Sequence, residues 1–399
     1  VIKIVHNKPH SVASKKKIAA GVTGKKNGMY KDGRRSYRRI AGAKPGDGKV
    51  IHHCYSLDTE YLTVSGWKKL MDINFDDIIF QVNDKLEWSL IKANPIFVQA
   101  NEGIEFKSPY LDLYVTTDHT MLTNKGAKKA NNLLTGRYWC YGACNENNII
   151  NCSEKALAYY RFLTAIVCDG IICMRSIRFN LSKKYKIKRI KELLNILNIK
   201  YKIRILTPKQ HQSKLTKNNI TEININNIKL KKNVLKQIPN KELPYKWLTL
   251  ANNARNAILD EYLLFDGSTC KNNIWTSKNE KNINILQALG ALSGRVLKKY
   301  NYPQFNNMFK LIEKKNNKIP IYNGTIEKIN MFNCFGCLTT TSGFLIVRRN
   351  GIVSISGNSN ENRNNNKKSN LIVMSEKKHK SLHMKKTNKK GITGRKKKK

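Results

Sequence analysis

Acidic side chains are scarce in this chain: 27 Asp and Glu stand against 74 Lys and Arg in 399 residues, a formal net charge of +47. An excess of that size points to polyanionic partners, double-stranded DNA first among them. Long hydrophobic runs are absent too. The most apolar stretch, Phe162 to Met174, is interrupted by Asp169 and falls far short of the roughly 20 residues a membrane span needs, so no membrane partner is expected. No signal peptide is visible. The nine cysteines are odd in number and irregularly spaced, which argues against a disulfide framework and places the chain in a reducing cytoplasm. Cys334-x-x-Cys337 and Cys140-x-x-x-Cys144 lack the spacing of a zinc ribbon. No protein partner is implied.

The charge that is present is uneven. Residues 1–53 carry 14 Lys and Arg against two Asp, and residues 359–399 carry 15 against two Glu. These flanks hold +25 in 94 residues, whereas the 305 residues between them hold +22. The N-terminal flank has few large apolar residues and reads as a basic arm that contacts phosphates. The length allows two or three domains.

The texture changes at Cys54. Short strands separated by Gly, Asn and Asp turns follow, including Ile78 to Val82 and an alternating Leu111 to Thr116, and predict an all-β unit. Residues 151–330 predict an α/β unit instead. Ala156 to Cys168 and Asn252 to Phe265 read as apolar helices, each ending in Asp-Gly, with later helices over Lys186 to Leu197 and Asn282 to Lys299. The two Asp-Gly ends, at Asp169 and Asp266, mark an internal repeat and a pseudo-symmetric unit. Residues 331–358 return to β texture, with a hairpin signal at Asn350-Gly351. The β unit is thus discontinuous, with the repeat inserted in it.

Three reactive groups sit at the seams of the 54–358 block. The Cys54 thiolate is placed to attack the preceding His53 carbonyl. Ser359 offers a hydroxyl that can receive the acyl group. Asn358 carries an amide that can attack its own backbone carbonyl and cut the bond to Ser359. The whole block resembles the intein family: Cys54-Tyr55-Ser56-Leu57-Asp58-Thr59 is similar to its opening motif, and Thr116-Thr117-Asp118-His119 to its Thr-x-x-His motif. Gly336-Cys337-Leu338-Thr339 through Val347, and Gly351 to Ser359, are similar to its closing motifs. The resemblance implies a horseshoe-shaped all-β splicing (Hint) domain over 54–150 and 331–358, needing no cofactor. In it, His119 protonates the departing amide and Thr116 orients the scissile bond. Two positions depart from the family: Gly357 stands where His is usual, and Cys337 where Asp is frequent.

Phe162 to Gly170 and Leu259 to Gly267 resemble the paired LAGLIDADG motifs of homing endonucleases. Lys241-Glu242-Leu243-Pro244 resembles a short motif that precedes the second. The resemblance implies a pseudo-dimer over 151–330 in which Asp169 and Asp266 bind Mg²⁺ and Lys241 assists. Glu261 occupies a position, opposite Thr164, where that family packs helices through small residues.

Joining residue 53 to 359 brings His52-His53, Asn370-Leu371 and His379-x-x-x-His383 into one text. A His pair at i, i+4 lies on one helical face and suits a metal. The joined text resembles the HNH nucleases, which implies a small ββα-metal domain built from 1–53 and 359–399. In that reading His53 is the general base, Asn370 its orienter, and His52, His379 and His383 bind a divalent metal, Mg²⁺ or Zn²⁺. The alternative is a basic DNA-binding protein that does not splice, with a degenerate β domain and an inactive endonuclease.

Overall fold

The computed structural model describes residues 54–145, 151–208, 218–302, 308–330 and 333–358. His52, His53, Ser359, Asn370, His379 and His383, and with them the whole HNH reading, lie outside the described residues. Among the described residues no helix is long and apolar enough to cross a membrane.

Two large antiparallel sheets build the β part. The first has six strands, in the order Ile326–Ile329, Gly103–Ser108, Leu111–Thr116, Tyr55–Ser56, Asn333–Leu338 and Pro95–Ala100. The strand that follows Cys54 is therefore an interior one. Leu111–Thr116 alternates in sequence yet is buried along its whole length. The polar member Asp112 is not turned to water but takes Arg349 at 2.7 Å and Asn350 at 3.0 Å. A buried carboxylate needs such partners, because an unpaired one would be costly.

In the second sheet Ile352–Gly357 lies between Phe344–Arg349 and Tyr138–Tyr141. The Asn350-Gly351 turn behaves as its composition demands: both residues have positive φ, +48° and +76°, the conformation a two-residue hairpin of this twist requires. The segment entering from Cys54 and the one leaving at Asn358 thus sit in the middle of two sheets, where neither end frays. Lys318–Ile321 pairs with Tyr138–Tyr141, and Ile326–Ile329 with Gly103–Ser108. The β part accordingly resumes ahead of residue 331.

The inserted part contains five helices among the described residues: α1 (Glu154–Asp169), α2 (Lys184–Ile196), α3 (Ile228–Gln237), α4 (Asn252–Asp266) and α5 (Glu280–Ala291). Two four-stranded sheets accompany them. One runs Gly170–Ile172, Ile177–Leu181, Ile220–Ile225, Lys202–Leu206; the other runs Gly267–Ser268, Ile274–Ser277, Met308–Lys314, Val296–Tyr302. Each follows the same path, with the third and fourth strands exchanged in space, and each begins directly after an Asp-Gly helix end. The repeat visible in the sequence is a repeat of topology. A helix over Asn282 to Lys299 does not form. The helix stops at Ala291, Gly294 adopts φ +83°, and the chain turns back as the strand Val296–Tyr302, which a continuous helix would have denied to Met308–Lys314.

The core does not respect the boundary between the two parts. One apolar cluster runs from Phe80, Val82, Phe344 and Ile355 of the β part to Phe162, Leu259 and Trp275 of the inserted part. Burying each such side chain contributes about 1.5–3 kcal/mol. Polar contacts reinforce the seam: Gln287 of α5, fully buried, donates to the carbonyls of Leu297 and Gly351 at 2.8 Å each.

Candidate functional sites

The Leu111–Thr116 strand places Thr116 against Cys54 in a reciprocal pair. The Cys54 N–H donates to Thr116 Oγ1 at 3.2 Å, and the Thr116 N–H donates to the Cys54 carbonyl at 3.0 Å. The hydroxyl therefore sits on the amide nitrogen of the bond that precedes Cys54. A turn follows, closed by His119 N–H to the Thr116 carbonyl at 3.0 Å, and it delivers His119 into the interior. The imidazole Nε2 lies 2.9 Å from Ser356 Oγ, and the ring meets Tyr55 edge-on at 4.5 Å between centroids. His119 is thus directed to the strand that leads to Asn358.

Asn358 is buried and its N–H donates to the Gly343 carbonyl at 2.9 Å. The peptide before it is also held at its other polar atom, because the Tyr55 hydroxyl donates to the Gly357 carbonyl at 2.6 Å. Cys54, Thr116, His119 and Asn358 are consequently brought into one buried neighbourhood through Tyr55 and Ser356. Burial pushes the Tyr55 phenol well above its ordinary value, against a smaller downward pull from Ser356. It stays a donor at physiological pH.

Cys337 enters this site as well. The Cys54 thiol donates to Cys337 Sγ at 3.3 Å, across the pairing of Tyr55–Ser56 with Asn333–Leu338. That hydrogen bond, with burial and the neighbouring cysteines, raises Cys54 well above an ordinary thiol. Cys140 and Cys144 are instead buried apart from this chemistry, their thiols pushed up to about 12 by desolvation. Such thiols are inert packing.

A second constellation lies where α1 and α4 end. An Asp at a helix C-terminus opposes the macrodipole, and here two such ends meet. The glycine after each Asp is imposed by space: a Cβ on Gly170 would stand 2.7 Å from the Ile166 backbone, and one on Gly267 would stand 2.5 Å from the Leu263 carbonyl oxygen. Burial first, and then the charge of Asp169, raises the Asp266 carboxyl above its ordinary value, while Lys186 and Lys241 pull it back. The charges of Asp169 and, more weakly, Lys241 are thus felt at Asp266. Lys186 is an addition: its Nζ lies 2.6 Å from Asp169 Oδ2. Nothing in its sequence setting, among other lysines of α2, sets it apart from a solvated residue. Among the described residues no cluster of three or more His, Cys, Asp or Glu converges on one point.

Glu261 is not a defect of the helix pair. It is buried, and Arg189 of α2 grips both its oxygens at 2.8–3.1 Å.

No protein-family profile matches this chain, and no curated protein does. Several solved structures are similar in part. The homing endonuclease I-DmoI in complex with DNA and Mn is 14% identical, with a TM-score of 0.32 over 40% of this chain and 91% of that one. The N-terminal LAGLIDADG domain of DUF199/WhiA is 14% identical, with a TM-score of 0.30 over 42% of this chain and 79% of that one. The homing endonuclease I-WcaI, bound to its DNA recognition sequence, is 14% identical, with a TM-score of 0.28 over 41% of this chain and 77% of that one. These likenesses are slight, and the site geometry stands without them.

Proposed function

We propose that the chain is a self-splicing precursor that carries a DNA endonuclease within the excised segment. One observation carries the splicing reading: Tyr55, the residue after Cys54, is hydrogen-bonded to Gly357, the residue before Asn358. Ends some 300 positions apart in sequence share one buried site. In the first step Cys54 Sγ attacks the His53 carbonyl, forming a thioester and freeing the Cys54 amine. Ser359 Oγ then attacks the thioester, leaving an ester and restoring the thiol. Asn358 Nδ2 attacks its own backbone carbonyl, giving a succinimide and releasing the Ser359 amine. That amine attacks the ester, and a peptide bond joins residue 53 to 359. Thr116 Oγ1, already on the Cys54 nitrogen, is placed to orient the first bond, with His119 as proton donor. The free thiol calls for a reducing compartment.

The experiment is a denaturing gel of the expressed chain. Splicing yields a 305-residue fragment and a ligated 94-residue one, and Cys54→Ala with Asn358→Ala leaves only precursor. Persistent full-length wild-type chain would favour a non-splicing, basic DNA-binding protein instead. The raised Cys54 thiol gives the reaction a pH signature. Thiolate is the attacking form and its fraction grows until the pH reaches the pKa, so thiol-induced cleavage at His53–Cys54 should still be climbing above about pH 8.5, where an ordinary thiol levels off. Cys337→Ala removes the first cause of the shift and should move the profile to lower pH, speeding cleavage severalfold at neutral pH. An unchanged profile would detach Cys337 from the site.

For the inserted part, Asp169 and Asp266 fit a divalent cation. They are hard oxygen donors, the charge of Asp169 raising Asp266, and these two carboxylates would hold a Mg²⁺. Such an ion would supply Lewis-acid chemistry for phosphodiester hydrolysis. Lys241 and Lys186 add positive charge beside the carboxylates. Losing an outer-shell partner of a metal typically costs about 10–100-fold, so Asp169→Asn or Asp266→Asn should cost at least that in Mg²⁺-dependent cleavage of target DNA. A variant that still cuts at the wild-type rate would place the active site elsewhere. The spliced flanks would form an HNH-type nuclease, with His53 as base, Asn370 as orienter and His52, His379 and His383 on a divalent metal. Nicking of plasmid DNA by spliced product but not by the Cys54→Ala, Asn358→Ala precursor tests that reading.

A further inference from the structure

We infer that Tyr55 is a positioning residue for cleavage at the Asn358–Ser359 bond, a role distinct from that of its neighbour Cys54. The inference rests on the splicing reading above. Succinimide formation needs the Asn358 side-chain amide to reach the Asn358 carbonyl carbon. Whether it does depends on how firmly the preceding peptide is held, because that peptide sets the direction from which the side chain departs.

Here that peptide is fixed at both polar atoms, Gly357 O by the Tyr55 hydroxyl at 2.6 Å and Asn358 N–H by the Gly343 carbonyl at 2.9 Å. Its third constraint is steric. Gly357 lies so close to Thr120 that a Cβ would stand 2.0 Å from the Thr120 carbonyl oxygen. No side chain at position 357 can assist the reaction, so assistance has to come from across the site.

Tyr55 is the group that reaches. It is fully buried, and its ring is braced edge-on against His119, which is itself 2.9 Å from Ser356 Oγ. With the plane before Asn358 held, cyclisation requires only rotations within Asn358 itself. Removing the hydroxyl leaves the plane held at its N–H alone and takes the Tyr55 donor from the Gly357 carbonyl.

The test uses the full chain in two backgrounds. Cys54→Ala isolates cleavage at Asn358–Ser359, and Asn358→Ala isolates thiol-induced cleavage at His53–Cys54. Tyr55→Phe keeps the ring and deletes only the hydroxyl. The expected result is a slowing of roughly tenfold or more at Asn358–Ser359, with cleavage at His53–Cys54 within about twofold of its parent. Equal rates at Asn358–Ser359 with and without the hydroxyl would overturn the inference. So would a parallel fall at both bonds, since a phenol that merely supports the fold moves both. Failure of the parent chain to react at either seam would instead overturn the splicing reading itself, which separates the two claims.

Discussion

Gly357→His should slow cleavage at Asn358–Ser359 roughly a hundredfold, even though His is the usual residue there in the family this block resembles. The reason is space. The first side-chain carbon would fall 2.0 Å from the Thr120 carbonyl oxygen and 2.8 Å from the Thr120 carbonyl carbon. Those are backbone atoms of the strand Thr120–Thr123, which pairs along its length with Gly126–Lys129. The strand cannot yield as a flexible side chain would. On the other side, Gly357 pairs with Phe344 at the end of the Phe344–Arg349 strand. Any relief must come from moving the end of Ile352–Gly357, which breaks both the Tyr55 contact and the Asn358 N–H bond to Gly343. Overpacking of this kind costs about 1–3 kcal/mol, and the loss falls on the reacting peptide. Cleavage at Asn358–Ser359 in the Cys54→Ala background should drop by roughly a hundredfold or more. Thiol-induced cleavage at the other seam should persist. A histidine variant that cleaves faster than the parent would refute the packing described here.

Arg189→Met should destabilise the chain by about 3 kcal/mol, because it leaves Glu261 buried and unpaired. Arg189 belongs to α2 in the first repeat and Glu261 to α4 in the second, so the pair ties the halves together. Glu261 is only 2% exposed. The double variant Arg189→Met, Glu261→Leu should regain most of the loss, since apolar replacements of a buried pair are often neutral or better. The measurement is the thermal midpoint of the single and double variants. A single variant indistinguishable from wild type would mean the carboxylate finds another partner.

Glu261 also shows where a sequence stops being informative. Set against a motif whose helices meet through small residues, it looks like damage; only the approach of α2 reveals its partner, 72 positions away. Lys186 was invisible for the same reason, one lysine among many until the fold sets it on Asp169. Cys337 was legible as a departure from a motif, but its contact with Cys54 depends on strand register across 283 positions. What could be read from the chain was local. The Asp-Gly helix ends announce a tight reversal, the Asn350-Gly351 pair a hairpin, and Thr116 and His119 a fixed spacing around a turn. The helix expected through Lys299 failed because helical periodicity over Val296 to Lys299 is weaker than the pairing offered by Met308–Lys314. Tyr55 and Ser356 stand inside the opening and closing motifs with no role of their own in the sequence, and their role depends on two sheets meeting.

Splicing requires that the two seams react in one molecule. Intact-mass measurement of freshly prepared wild-type chain, incubated under reducing conditions, addresses this directly. It should show two new species whose masses sum to that of the full chain: a ligated product of residues 1–53 and 359–399, and an excised 54–358 segment one water lighter than its free acid. A spectrum that keeps only the full-length mass, or that shows separate flanks with no ligated product, would contradict it.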